Sequence, residues 1–510
     1  MYTRRSLLQG AAAGVGLLTM PRFLAGCAKD KALNLGASGD PFLDWFGVDE
    51  AMIRRVLTEL TTNGATFADV FFQHSRVNSI SLEDGLVSRA STSVDQGVGL
   101  RVVVGDQTGF AFTEDLTLES MLAAARTAAA IARGASITTP SGFQRPAPNG
   151  DLYQVAVPWS DIGVEQKLPL LLKTEALARA ADPSVGKVSV SWMDEDERVM
   201  VADTSGRLLA ERRPNTRLFC SVTATRGGQT FSNTANIAGR NGFDWYTSER
   251  LADTAQRAVD RTLILFDAAR PPAGEMPVVL AAGASGILLH EAIGHGLEAD
   301  FNRKGISIYA DMMGQKIAPD FVTIVDSGVE PNERGAIAFD DEGNAAQRTT
   351  LVENGALVSY LHDATSAAHY KVPSTGSGRR QSFRHAPMPR MRCTFMEDGP
   401  HSRDEIIASV ENGIIAETFT NGQVQIGAGD FTFYIKNGWL IEGGKVTAPI
   451  KDVNIIGNGP EALRRVTMAA NDGHLDTGGW TCGKDGQSVP VSQGLPTVLV
   501  SKMSVGGSNG

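Results

Sequence analysis

Apolar residues recur at helical spacing just after Asp49, near the start of the chain. They lie on one face of a helix, which Asp49 would cap and Gly64 would end. The stripe consists of Met52, Ile53, Val56, Leu57 and Leu60. Similar patterns predict further helices over about 118–133, 163–181, 248–266 and 461–471, and one that begins near Ser285.

Strand-like segments with turn residues fill most of the remaining chain. ADVFFQ, SISLEDG and VGLRVVV are separated segments, and hairpin-like runs with Thr-Ser-Gly and Gly-Gly turns follow them. Asn354-Gly355 between alternating segments is a strong hairpin signal. The pattern predicts an α+β fold of two domains, largely antiparallel sheets, over 48–270 and 277–508. The metal-site helix discussed below would open the second domain.

The first 27 residues have the features of a leader. Arg4 and Arg5 precede an apolar stretch that is short of the roughly 20 residues of a membrane span. This is typical of a twin-arginine export signal, although a buried N-terminal helix is an alternative. Leu24 to Cys27 resembles a lipoprotein cleavage box, with Cys27 as the lipidated residue. We therefore expect a periplasmic or membrane-anchored protein, cytoplasmic if the leader is not used.

Composition narrows the function classes. The 510 residues are 42% hydrophobic and carry a formal net charge of −10 without a basic stripe, which argues against nucleic-acid binding. Four cysteines in a chain of this length do not form a disulfide framework.

The candidate chemistry lies in HEAIGHGLEAD, from His290 to Asp300. The zinc-peptidase motif H-E-x-x-H places its histidines four residues apart, whereas His295 follows His290 by five. On a regular helix the two side chains would diverge by about 140°. A single π-type turn would return them to one face, and Gly294 could ease that distortion.

The residue types in this stretch suit metal-dependent hydrolysis. Neutral imidazoles bind zinc, and Glu291 beside the first histidine could accept a proton from an activated water. Glu298 and Asp300 are placed for outer contacts to the ligands, or Glu298 for a third ligand. Two unrelated histidines near surface acids remain the alternative. The candidates for the third ligand are Cys482, Cys393, His362, His369, His385 and Glu298.

Several longer motifs resemble one known family. In the N-terminal half they are SLEDG at 81–85 and DQGVGLR at 95–101. In the C-terminal half they are HEAIGHGLEADFNRKG, GSGRRQSFRHAPMPRM, IGNGPEAL and CGKDGQSVP. Together they are similar to the TldD/PmbA metallopeptidases, and to the metal-bearing TldD-like members, over nearly all of 48–508.

The resemblance implies a zinc peptidase with one Zn²⁺ per chain. It assigns His290, His295 and Cys482 as ligands and Glu291 as the catalytic glutamate. It also implies unfolded or extended peptide substrates, bound by main-chain pairing, and a dimer, either with itself or with a related chain that lacks the motif.

Some positions depart from the family or are open to a second interpretation. Cys393 stands where Asn is expected. Arg379, Arg380 and Arg390 match family motifs, and we expect structural ion pairs from them, with substrate contact as the alternative for all three. Competing hypotheses are a non-catalytic peptide-binding or regulatory subunit with a structural metal, and a hydrolase of another amide.

Overall fold

The computed structural model describes residues 40–131, 133–147, 152–153 and 155–506. The predicted leader, with Arg4, Arg5 and Cys27, lies outside these residues. No helix among the described residues is long and apolar enough to cross a membrane.

The described α-helices are short except in the N-terminal half. They are α1 (Pro41–Phe46), α2 (Glu50–Leu60), α3 (Leu118–Ala129), α4 (Val164–Ala181), α5 (Ser248–Leu263), α6 (Ile287–Leu289), α7 (Ala299–Arg303), α8 (Ala364–Tyr370), α9 (Arg403–Ala408) and α10 (Gly459–Arg464).

The strands account for most of the regular structure. In the N-terminal half they are β1 (Phe67–Glu83), β2 (Leu86–Val104), β3 (Gln107–Thr113), β4 (Val185–Asp203), β5 (Leu208–Arg226) and β6 (Gln229–Gly239). In the C-terminal half they are β7 (Gly274–Leu280), β8 (Ile324–Ser327), β9 (Arg348–Glu353), β10 (Ala356–Leu357), β11 (Gly378–Arg379), β12 (Met388–Pro389), β13 (Cys393–Met396), β14 (Asn412–Gln425), β15 (Asp430–Glu442), β16 (Lys445–Ile450), β17 (Val453–Asn458), β18 (Val466–Ala469), β19 (His474–Leu475), β20 (Thr481–Lys484), β21 (Gln487–Pro490), β22 (Ser492–Leu495) and β23 (Val498–Gly506).

The N-terminal strands form one antiparallel sheet in the order β3-β2-β1-β4-β5-β6. Its strands are long enough to hold two separate hydrophobic cores. At one end α2 and α3 cover Val70 and Phe72 of β1. At the other end α4 and α5 pack where Trp192 and Leu218 are buried. The sheet therefore joins two helix-covered layers end to end.

The middle of this sheet is polar, which corrects one prediction. ADVFFQ and the first five residues of SISLEDG are parts of the single strand β1, because the intervening polar residues pair with acids of β4. Ser75 donates to Glu195 at 2.6 Å, and Asn78 donates to Asp194 at 2.7 Å. The break in the apolar pattern between these two segments therefore marks the passage of β1 from one hydrophobic core to the other, and not a turn.

The predicted N-cap at Asp49 is confirmed, whereas the predicted C-terminal ends of two helices are wrong. The Asp49 carboxylate accepts from the Met52 amide at 2.8 Å, as an N-cap should. The helix predicted near 461–471 ends at Arg464, since Val466 and the residues after it pair with β23 instead. The helix predicted to run to 133 ends at Ala129.

The C-terminal half contains a closed ring of strands. Pairing runs β14-β7-β23-β17-β15 and returns from β15 to β14, while β16 and β18 attach at its rim. A second, mixed sheet has the order β10-β9-β8-β13-β22-β19. At its β9–β10 turn, Asn354 and Gly355 both have positive φ, at 47° and 80°, as the Asn-Gly signal predicted. The largely antiparallel α+β fold is thereby confirmed.

The two halves meet through a buried interface. Phe383 is fully buried in a cluster with Phe71 and Val201 of the N-terminal sheet. Its ring lies so close to Gly97 that a Cβ added there would come within 2.2 Å. Nearby, Arg101 donates to Glu342 at 2.6 Å with both side chains buried. Glycine at position 97 is what lets the C-terminal half approach the sheet.

We predict that Phe383→Ala lowers the free energy of unfolding by about 3–5 kcal/mol, because it leaves a cavity at this interface. Urea unfolding followed by fluorescence measures the change. Val446→Ala is the control, since that side chain on β16 is 43% exposed and should change stability little. Equal midpoints for both variants would contradict a tightly packed interface at Phe383.

Candidate active site

The histidine pair lies on a helical run that changes type three times. A 3₁₀ turn at Ala284–Gly286 leads into α6, a π-helical turn follows over His290–Gly294, and a second 3₁₀ turn covers His295–Leu297. The amide of His295 donates to the carbonyl of His290, five residues back. The expected π turn is present, in place of a regular helix. It brings the two rings to 5.0 Å between centroids, edge to face.

Carbonyl groups freed by the distortion have side-chain partners. Tyr309 donates its hydroxyl to the carbonyl of Ala292 at 2.9 Å. Ser307 and Asn302 both donate to the carbonyl of Gly296, at 2.6 and 2.9 Å. Buried carbonyls without such partners would cost free energy, so these residues stabilise the unusual turn.

Gly294 matters because it has no Cβ, and not because its backbone angles are unusual. Its φ of −54° and ψ of −53° are ordinary for a helix. A Cβ at this position would lie 1.9 Å from the sulfur of Met391. The predicted involvement of Gly294 is therefore a close approach between the π turn and the strand segment that precedes β13.

Cys482 reaches the histidines from a separate hairpin. It lies on β20, which pairs with β21, and its Sγ is 3.5 Å from Nε2 of His295. Buried Arg390 holds this hairpin by donating to the carbonyl of Cys482 at 2.6 Å and to that of Gln487 at 3.3 Å. Arg390 thus positions the strand that carries the sulfur.

His290, His295 and Cys482 form a plausible set of metal donors. Their donor atoms all lie within 4.8 Å of one another, and all three residues are buried. Nδ1 of His290 is buried and finds no hydrogen-bond partner among the described residues. Two imidazoles and a thiolate are a donor set that suits zinc and leaves one of four positions open. The residues present fit the ion that the sequence implied.

Charge in this cluster favours the thiolate. Burial would raise the pKa of the Cys482 thiol, but His290 and His295 outweigh it and hold that pKa well below its usual range. Burial would lower the pKa of His295, yet Glu298 and Cys482 raise it well above its usual value. Each shift favours the charged form of its group, because the neighbouring charges outweigh burial.

Glu298 is the outer partner of His295, and its carboxylate lies on the far side of the ring from Cys482. It approaches Nδ1 of His295 at 3.0 Å, while Nε2 faces the sulfur. Burial would raise the pKa of Glu298, but Lys484 and His295 lower it to about 2. This contact fixes the ring orientation and is not that of a third ligand.

Lys484 is a site residue that the sequence did not single out. Its ammonium lies 3.1 Å from Glu298 and 2.7 Å from Asp300, and it donates to the carbonyl of Pro389 at 3.1 Å. Arg390 approaches Glu298 at 4.0 Å. One signal in the sequence indicates Lys484 as a site residue. It follows Cys482 by two residues and therefore lies on the same face of β20.

Glu291 lies in the cavity that the donor set faces. The cavity holds about 520 Å³ and is also lined by Gln423 and Val424 of β14 and by Trp480. Gly422 lies against Glu291, since a Cβ there would come within 3.3 Å of Cγ. The four predicted residues, Glu291 and the three donors, thus share one cavity.

The other ligand candidates lie elsewhere. Cys393 is buried in β13 between β8 and β22, where burial raises its thiol pKa well above the usual value. His362 packs against Tyr370 with ring centroids 5.5 Å apart. His385 contacts Ser382 at 3.1 Å. Among the described residues, no other group of three such donors converges as His290, His295 and Cys482 do.

Comparison with known proteins identifies the family. Sequence models described as the PmbA/TldA metallopeptidase C-terminal domain, domain 1 and central domain match residues 273–507, 68–132 and 157–266. The chain belongs to the PmbA/TldD metallopeptidase family. A metalloprotease TldD homolog from Haemophilus influenzae is 40% identical over 87% of this chain and 93% of its own length.

Further family members agree in sequence or in fold. A zinc metalloprotease TldD homolog from Saccharolobus solfataricus is 27% identical over 87% of this chain and 97% of its own. The crystal structure of TldE from Thermococcus kodakarensis matches with a TM-score of 0.70 at 18% identity, covering 89% of this chain and 100% of its own. At that identity the likeness establishes the fold alone.

One prediction about the leader is corrected by the relatives. The assignments of a twin-arginine signal and of a lipoprotein with lipid on Cys27 are wrong for this kind of chain. The relatives from Haemophilus influenzae and Saccharolobus solfataricus, which each match 87% of this chain, are named as TldD homologs, and neither name denotes an exported lipoprotein.

We predict that purified protein contains about one zinc per chain and that Cys482→Ala loses it, because one of three donors is gone. Elemental analysis after gel filtration measures the content. Cys220→Ala is the matched control, a buried cysteine of β5 in the other half. A full zinc complement in Cys482→Ala would show that the third ligand lies elsewhere.

Alkylation should distinguish the three described cysteines after metal removal. In chelator-treated protein near pH 6.5, iodoacetamide should modify Cys482 first, since its thiol pKa is depressed and it lines the cavity. Cys220, whose pKa burial raises to about 12, and Cys393 should stay unmodified. Peptide mapping reads the sites, and added zinc should protect Cys482. Similar rates at all three would contradict the predicted thiolate.

Proposed function

We propose that this chain is a zinc-dependent peptidase in which Glu291 is the general base. The observation that supports it best is the convergence of three buried donors with an adjacent carboxylate in one cavity. A structural metal would normally be closed by a fourth protein ligand. Among the described residues only three such donors converge, and Glu291, which is not one of them, lines the same cavity.

Glu291 is suited to moving a proton within this cavity. It follows His290 directly, so the π turn that sets the ligands also sets the carboxylate. Gly422 leaves room beside it. In the proposed reaction Glu291 takes a proton from the attacking water and passes it to the leaving amine. Zinc, when bound, supplies the Lewis acidity that acidifies water and polarises the peptide carbonyl.

An extended peptide has a strand edge to bind. β14 pairs with β7 only over Ile414–Ala416, and beyond that its described pairing is with β15 on one side. The open edge includes Gly422 to Val424, which line the cavity. We propose that unfolded or extended peptides add to this edge by main-chain hydrogen bonds, which would give weak side-chain selectivity.

We also propose that the protein works with a second chain of the same family. The family resemblance implies a dimer, and TldE is among the structures that share the fold. The exposed stretch of β2 supports an interface, because Leu86, Val87 and Val94 present apolar side chains to solvent there. Either a second copy or a related chain fits this surface.

We predict that Glu291→Gln lowers kcat on an unstructured peptide by about 100- to 10,000-fold, since the general base is lost. Zinc content should be unchanged, because Glu291 is not among the three donors. Peptide cleavage followed by mass spectrometry and elemental analysis of the same sample measure both.

Glu442→Gln is the control for the peptidase test, an exposed carboxylate at the end of β15. It should leave cleavage and zinc unchanged. Equal activity of Glu291→Gln and unmutated protein would overturn the proposed mechanism. Peptide binding without cleavage by unmutated, zinc-loaded protein would instead favour a non-catalytic binding subunit.

A further inference from the structure

A second cavity lies beside the candidate active site, and its lining is basic. It holds about 370 Å³ between β5, β6 and α5 on one side and β14, β15 and the 476–480 segment on the other. Its charged lining consists of Arg217, Arg257, Arg261, Lys436 and a single acid, Asp476. We call it the basic cavity.

Three of these four cations form no ion pair with an acid of the described residues. No ion pair within 4.0 Å joins Arg217, Arg261 or Lys436 to an acid of the described residues, whereas Arg257 pairs with Asp253 at 2.9 Å. Burial lowers the pKa of the Arg217 guanidinium, and burial together with Arg257 lowers that of Arg261. Partly buried cations without a counter-charge are costly unless a ligand supplies one.

The single acid of the basic cavity is already engaged. Asp476 accepts from the indole nitrogen of Trp480 at 2.5 Å and from the amide of Gly478 at 3.2 Å. Gly479 lies against Arg217, where an added Cβ would come within 2.4 Å of Cδ. The segment therefore fixes Trp480, and its one carboxylate, which favours the charged form of Arg261, faces four cations.

The basic cavity adjoins the active-site cavity. Trp480 lines both, and β14 passes along both, with Thr418 to Thr420 in the first and Gly422 to Val424 in the second. At about 3.3 Å per residue, Phe419 and Gln423 are roughly 13 Å apart along the strand. A peptide lying on the open edge of β14 would thus span from Glu291 to the cations in a few residues.

We propose that the basic cavity binds a carboxylate of the peptide substrate, a few residues from the cleaved bond. This inference rests on the proposed peptidase function and adds a substrate class to it: peptides with a free C-terminus or an Asp or Glu side chain at that position. Guanidinium groups bind carboxylates through paired hydrogen bonds, and the lysine adds a mobile charge. Main-chain hydrogen bonds to β14 do not select peptides that carry a carboxylate. The cations would therefore set the register in which the peptide lies along β14.

The test compares matched peptides on zinc-loaded protein. One series has a free C-terminus or its amide, and the other has Asp or Asn at positions two to five residues from the cleaved bond. The unmutated protein should cleave the carboxylate form with about tenfold higher kcat/KM, as expected for one charged hydrogen bond. The difference should lie in KM. The two series distinguish the terminal carboxylate from the side-chain carboxylate.

Variants of the cavity should reduce the preference for the carboxylate form. Arg217→Gln and Lys436→Gln should each reduce the preference severalfold, and Lys436→Glu should reverse it toward peptides with Lys at that position. Lys445→Gln is the matched control, since it deletes the same charge from the exposed β16. It should leave the preference intact.

The outcomes separate this inference from the function on which it rests. Cleavage of both peptide forms with equal kcat/KM would overturn the basic subsite and leave the peptidase intact. If neither form is cleaved, the proposed function fails. Calorimetry with Glu291→Gln then still tests the basic cavity: tighter binding of the carboxylate form supports it, and equal affinities overturn it.

Discussion

The π turn between His290 and His295 is the constraint on which the site depends. His295 follows His290 by five positions, and this turn brings both imidazoles to one side. The turn releases backbone carbonyls inside a core, so Tyr309, Ser307 and Asn302 must supply donors to them. Met391 fills the space that Gly294 leaves. The C-terminal half is thus built around one irregular helical turn.

Charge is arranged in two layers around that turn. Cys482 and the histidines form the inner layer, and Glu298, Lys484 and Arg390 the outer one. Each outer group contacts a donor residue or the strand that carries it, which fixes orientation before any ligand arrives. Trp480, directly before β20, lines both the cavity of this centre and the basic cavity. One short stretch of chain therefore borders both charge environments.

Local signals in the sequence predicted much of this arrangement, and long-range pairing accounts for the rest. The Asp49 cap, the Asn354-Gly355 turn and the distortion before His295 each depend on a few adjacent residues, and all three are present. The length of β1 and the end of α10 depend on partners far along the chain. Cys482 was named through family likeness, because no local spacing reveals a contact with His295. The basic cavity was missed for the same reason, since its cations come from β5, α5 and β15.

Ring closure has a consequence for biosynthesis. β7 opens the C-terminal half and β23 ends it, yet the two are neighbours in the ring of strands. Cys482 lies 187 residues after His295. A growing chain therefore displays two histidines long before it can offer the sulfur or seal the ring. The complete trio of donors exists only once the last strands have left the ribosome and found their places. Convergence of all three donors therefore requires synthesis of the chain through β20.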